Sequence, residues 1–118
     1  MKEETKVETN RGRKMKAIGY SRVSTALQEA EGYSLQAQQE AIERYCAIEG
    51  YELIESFNEV ESGTKSTRAV VNTVLNLCEL TNAKMVVARL DRFSRDVHFL
   101  TSVQKRSINF IALDNPNA

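Results

Sequence analysis

The sequence predicts an open, mostly parallel four-stranded α/β sheet with helices on both faces. Three observations predict it. From residue 16 onward, short apolar runs alternate with helical runs of about 10–15 residues, the pattern of successive βαβ units. One proline and five glycines in 118 residues supply too few turns for an all-β sandwich or barrel. A chain that is 42% hydrophobic and 27% charged has the balance of one globular domain and excludes wholesale disorder.

The elements follow in order. Residues 1–15 carry five Lys/Arg and three Glu with little to bury, and read as a flexible N-terminal arm. Its basic piece at 11–14 can touch a phosphate backbone or serve only as a solvated leader. KAIGY at 16–20 is the first strand. Ser34 is the N-cap of a helix that runs to about Glu49 and stops at Gly50, with Leu35, Gln38/Gln39, Ile42 and Tyr45/Cys46 as its stripe. YELIESF at 51–57 is the second strand, and a polar loop at 59–67 carries Ser62 and Gly63. A helix over 68–80 buries Val71, Val74/Leu75 and Cys78 and ends at Asn82 in the left-handed conformation. MVVARL at 85–90 is a buried strand. A helix over 97–106 turns Val97, Leu100 and Val103 inward, and INFIAL at 108–113 is the last strand.

Strands 1 and 3 are expected at the centre with right-handed crossovers, because both lead into polar, arginine-bearing segments. Ligands in such sheets bind off the carboxyl ends of the strands near the switch point. That directs attention to residues 20–28, 59–68 and 91–96. Sixteen Lys+Arg balance sixteen Asp+Glu, so the total charge makes no case for nucleic-acid binding. Its placement does. Arg22, Lys65, Arg68, Arg89, Arg92 and Arg95 fall on one edge, with Asp91 and Asp96 as counter-charges. Guanidinium forks match phosphate oxygens, and a hydroxyl among them is suited to attack a phosphodiester. Ser21, Ser24, Thr25 and Ser94 all offer a hydroxyl there.

Other chemistries lack their motifs. No phosphate-binding glycine loop and no dinucleotide fingerprint occurs, so no cofactor is expected. One histidine and two separated cysteines give no metal-ligand spacing. His98 falls on a helix flank, where a surface histidine is the plainer reading than a hydrolase triad. A phosphoreceiver domain would need an acidic cluster where this chain has arginine and serine. Cys46 and Cys78 fall on helix core stripes and read as buried thiols, not a disulfide framework. No apolar run approaches the roughly 20 residues of a membrane helix, and the charged start lacks a signal-peptide apolar stretch, so the expected compartment is the cytoplasm.

Four segments together carry a resemblance: Tyr20-Ser21-Arg22-Val23-Ser24-Thr25 with Gln28, Gly32-Tyr33-Ser34-Leu35 with Gln38, Ser62-Gly63, and Leu90-Asp91-Arg92-Phe93-Ser94-Arg95-Asp96. In this order they resemble the catalytic domain of serine site-specific recombinases, the resolvase/invertase family, over residues 16 to 115. The Gly-x-Ser-Leu-x-x-Gln segment and the late Asp114-Asn115-Pro116 resemble the large serine integrases and related mobile-element recombinases more than the small resolvases.

The resemblance implies DNA strand cleavage and rejoining through a covalent 5′-phosphoserine intermediate, with Ser24 as nucleophile and no metal or nucleotide consumed. It assigns Arg22, Arg68, Arg92 and Arg95 to phosphate binding and charge stabilisation, with Lys65 beside them. Asp91 orients an arginine or shuttles a proton. Gln28, Gln38 and Ser62 support the pocket, and Glu59 stands where the family commonly has aspartate. Asp96 reads as a helix cap. The family's long dimerisation helix and DNA-binding domain would lie past Ala118, so residues 16–118 are expected to be a truncated catalytic domain, inactive alone. The partners implied are DNA and further copies of the chain, a dimer and then a tetramer at synapsis. The uncovered side of the truncated domain is expected around residues 97–113. A non-catalytic recombinase remnant acting as an interaction module is the alternative.

Overall fold

The computed structural model describes residues 14–24, 34–61, 68–90, 93 and 96–114, with the backbone alone at Ser24, Glu61 and Arg68. The described elements are β1 (Met15–Ser24), α1 (Leu35–Glu49), β2 (Tyr51–Glu61), α2 (Arg68–Thr81), β3 (Lys84–Val87), α3 (Val97–Lys105) and β4 (Phe110–Ala112). The N-terminal arm through residue 13 lies outside the described residues.

Local chemistry explains most boundaries. Ser34 is extended and its Oγ accepts from the Ala37 amide at 3.0 Å, satisfying a donor that the first turn of α1 leaves free. Gly50 ends α1 at φ 80°, and Asn82 follows α2 at φ 56°, both in the left-handed region that closes helices. β1 and β2 run past the apolar stretches that mark them, because Ser21 to Ser24 pair with Asn58 to Glu61 along the backbone. β3 is shorter than its apolar run and ends at Val87.

The strand order is β2-β1-β3-β4, and each neighbouring pair is parallel. The chain steps from β1 outward to β2, then crosses back over β1 to β3 and β4. With crossovers of one hand, that reversal puts α1 on one face and α2 with α3 on the other. On the first face Ile42 and Cys46 of α1 pack on Ala17, Val86 and Ala88. On the second, Val71, Val74, Leu75 and Phe99 pack on Ile18, Tyr20, Met85 and Val87. The apolar faces of α1 and α2 are those expected from spacing.

α3 differs from expectation at Val97, while Leu100 and Val103 pack against the core as expected. Val97 is 72% exposed, and Phe99 is the helix's fully buried residue. Phe99 joins an aromatic cluster with Phe93 at 4.9 Å, Phe110 at 5.8 Å and Tyr20 at 5.9 Å between ring centroids. A nine-residue helix has room for one dominant anchor, and the ring, with more area to bury than a valine, sets its rotation. In residues 97–113 Val97 is the single large apolar side chain that is exposed, and Phe110 is packed against the core.

β1 and β2 are in simple register up to Ala17↔Leu53 and resume at Ile18↔Glu55, so Ile54 is an extra residue on β2. The bulge reverses the alternation of β2. Leu53 packs toward α1, whereas Ile54 and Phe57 pack toward α2 and α3. Glu59 is thereby set opposite Arg22.

Candidate active site

β1 and β3 are the central strands, and their chain continuations lead to opposite sides of the sheet. The carboxyl end of β1 is therefore at the switch point. Alternation along β1 sends Tyr20 to the α2/α3 face, and Arg22 follows on the same side.

Arg22 is 1% exposed. Its Nη1 donates to Asp96 Oδ2 at 2.8 Å and its Nη2 donates to the Tyr20 hydroxyl at 2.7 Å. Nε lies 3.5 Å from Glu59 Oε1, an ion pair that lacks hydrogen-bond geometry. The guanidinium carbon sits 4.6 Å from the centroid of Phe93. Tyr20 in turn donates to Glu59 Oε1 at 2.7 Å. Three segments of chain, β1, β2 and the stretch after β3, thus meet on one side chain. Such burial costs several kcal/mol per charge unless each donor is met, and here two carboxylates, a phenol and a ring face supply the compensation.

The backbone of Arg22 is held from the opposite face. Its amide donates to Gln38 Oε1 at 3.3 Å, and Gln38 Nε2 donates to its carbonyl at 3.2 Å. Gln38 is itself buried at the first turns of α1. Burial alone would lower the Arg22 pKa, but the hydrogen bonds to Tyr20 and Asp96 outweigh it and hold the pKa above the ordinary value. Burial, followed by the bond to Glu59, pushes the Tyr20 hydroxyl well up. It therefore stays a phenol that can donate to Glu59.

Of the sequence-predicted residues, the structure brings Arg22, Gln38 and Glu59 together. Ser24 is the last residue of β1, paired through its backbone with Glu61, and Arg68 is the first residue of α2. Gln28, Ser62, Lys65, Asp91, Arg92 and Arg95 lie outside the described residues. Glu59, where the resemblance leads to aspartate, accepts from the Tyr20 hydroxyl at 2.7 Å. Arg89 forms an ion pair with Asp114 at 3.3 Å, away from Arg22's partners.

Tyr20 and Phe93 were not anticipated as partners of Arg22. Period-two spacing from Arg22 was the available signal for Tyr20; none marked Phe93. Asp96 does cap α3, its Oδ1 accepting from the Phe99 amide at 2.9 Å, and its other oxygen is the ion-pair partner of Arg22. Among the described residues no group of three or more His, Cys, Asp or Glu is placed to hold a metal, and no helix is long and apolar enough to cross a membrane.

Residues 17–117 match the family described as resolvase, N-terminal domain. Similar solved structures include the N-terminal catalytic domain of TP901-1 integrase, 29% identical with a TM-score of 0.69, the match covering 86% of this chain and 79% of that one. The C-terminal catalytic domain of ISC1926 TnpA, an IS607-like serine recombinase, is 20% identical with a TM-score of 0.66 over 84% of this chain and 67% of its own. A resolvase family site-specific recombinase from Streptococcus pneumoniae is 24% identical with a TM-score of 0.65 over 87% and 74%. Comparison with curated protein sequences finds no match.

Proposed function

This chain belongs to the resolvase family, through the N-terminal domain that spans its residues 17–117, and from that premise we propose that it cuts and rejoins DNA strands with Ser24 as nucleophile. The observation that carries the reading is the family match over nearly the whole chain. The anchoring of Arg22 two residues before Ser24, at the switch point of the sheet, supports it.

In the proposed step the Ser24 oxygen attacks a backbone phosphorus. A serine O–P bond forms, the bond from phosphorus to the 3′ oxygen breaks, and the 3′ oxygen leaves as a hydroxyl after taking up a proton. The proton lost by Ser24 passes to a nearby base, for which Asp91 is the candidate. Arg68, Arg92 and Arg95 are the groups assigned to bind the phosphate and offset the charge that builds on it. Arg22 belongs to the same assigned set and has a second part as well. Its side chain is buried, with Nη1 on Asp96 and Nη2 on Tyr20, so beyond the phosphate role that the resemblance gives it, it holds the end of β1 in place. Rejoining is the reverse attack, by the 3′ hydroxyl of the new partner strand on the phosphoserine. Cutting two duplexes on four strands requires four copies of Ser24, so the working form is an oligomer assembled on DNA.

The test uses the full gene product and a supercoiled plasmid carrying the DNA that borders its gene. Wild-type protein should leave a covalent protein–DNA adduct on a denaturing gel. Ser24→Ala should leave none, with DNA affinity within about twofold, since the hydroxyl carries chemistry and not binding. An adduct from the alanine variant overturns the assignment.

A further inference from the structure

We propose that Asp96 is a positioning residue for strand cleavage, acting through Arg22. The inference rests on the reading above. Arg22 touches the segment after β3 at two points. Phe93 covers the guanidinium face at 4.6 Å, and Asp96 Oδ2 accepts from Nη1 at 2.8 Å. Hydrogen bonds tie that segment to itself. The Phe93 amide donates to the Leu90 carbonyl at 2.9 Å, and the Asp96 amide donates to the Phe93 carbonyl at 3.0 Å. Its near end is fixed as well, by the Leu90 amide on Asp114 Oδ1 at 2.9 Å.

Arg92 and Arg95, assigned above to the phosphate, fall within this stretch of sequence. Ser24 follows Arg22 by two residues on β1. The Arg22–Asp96 pair therefore ties the strand that carries the nucleophile to the segment that carries the phosphate ligands. Asp96 divides its two oxygens between the two jobs: Oδ1 caps α3 and Oδ2 holds the arginine. With Asp96 at 19% side-chain exposure and Arg22 at 2%, solvent screens the pair only partly. Effective geometry in catalysis tolerates little displacement, so a carboxylate that touches no substrate can still set the rate.

Asn is a good N-cap but cannot replace the ionic half of the contact. Asp96→Asn should therefore leave the fold intact, leave DNA affinity within about twofold, and slow adduct formation at saturating DNA by roughly tenfold or more. Asp96→Ala should lose the same rate and also melt at lower temperature. Adduct formed by Asp96→Asn at the wild-type rate, or a loss that follows DNA affinity alone, overturns the inference. A second measurement needs no DNA cleavage. In nitrogen NMR spectra Asp96→Asn should free the Arg22 side chain to exchange with water and shift the Val23 and Ser24 amides. If wild-type protein forms no Ser24-dependent adduct, the recombinase reading fails. Positioning is then judged on the amides, and unshifted Val23 and Ser24 signals overturn it.

Discussion

Arg22 stands directly opposite Glu59 across the β1–β2 pair because β2 leaves Ile54 out of the register. In parallel strands paired residues point to the same face. Without the extra residue Arg22 would pair with Asn58, and Glu59 would turn toward α1. The bulge brings a carboxylate to the one face where a buried guanidinium needs it, and Tyr20 bridges the two at 2.7 Å on each side.

This arrangement orders two substitutions. Glu59→Gln keeps an acceptor for the Tyr20 hydroxyl but removes charge facing Arg22, and should cost about 1–2 kcal/mol. Glu59→Leu also strands the buried hydroxyl and should cost about 2–4 kcal/mol. Urea unfolding of both variants measures the difference. Equal costs would mean that Tyr20 does not depend on Glu59.

The rotation of α3 is tested by Phe99 and Val97. Phe99 is fully buried in a ring cluster, so Phe99→Ala should destabilise by about 3–5 kcal/mol. Val97 is 72% exposed, and Val97→Thr should change stability by no more than about 0.5 kcal/mol. A large loss at Val97 would return that residue to the inward face it was expected to share with Leu100 and Val103.

Gly19 of β1 lies against Ile42 of α1. A Cβ there would sit 3.0 Å from Ile42 Cγ2 and 3.3 Å from Ser56 Oγ. Ile42 is 1% exposed and has nowhere to go. Gly19→Ala should cost about 1–3 kcal/mol. The cost of Ile42→Ala should be smaller in the Gly19→Ala background than in the wild type, because the clash is then relieved. Strict additivity in denaturant unfolding would show that α1 shifts freely instead.

Alkaline stability should carry the mark of Cys78. Burial pushes its thiol from the ordinary 9.0 up to about 11, against a smaller opposing pull from Arg106. The folded chain therefore keeps a proton that the unfolded chain loses. The resulting stability is present in full below about pH 9 and disappears as pH rises to about 11, a loss on the order of 2–3 kcal/mol. Cys78→Val has no such proton. Unfolding at pH 8 and pH 10.5 should show a steeper decline for wild type than for the valine variant; parallel declines would refute it.

Local chemistry determined much of this protein without help from tertiary structure. Ser34, Gly50 and Asn82 mark helix ends through their own side chains or backbone freedom. The apolar spacing of α1 and α2 names the buried faces, and the arginine-bearing continuations of β1 and β3 point to the central pair. The motifs around Ser24 and Arg92 sufficed to name the family. Tertiary structure decided what depends on segments distant in sequence. Ile54 becomes a bulge only when β2 is laid against β1, since no property of β2 alone says which residue is skipped. Phe99 displaces Val97 from the core because Tyr20, Phe93 and Phe110 are there to receive a ring. Arg22 reads in sequence as one cation among several at the strand ends. It is buried because Tyr20, Glu59, Phe93 and Asp96 converge on it, and a guanidinium leaves water only when partners from several segments meet its donors together.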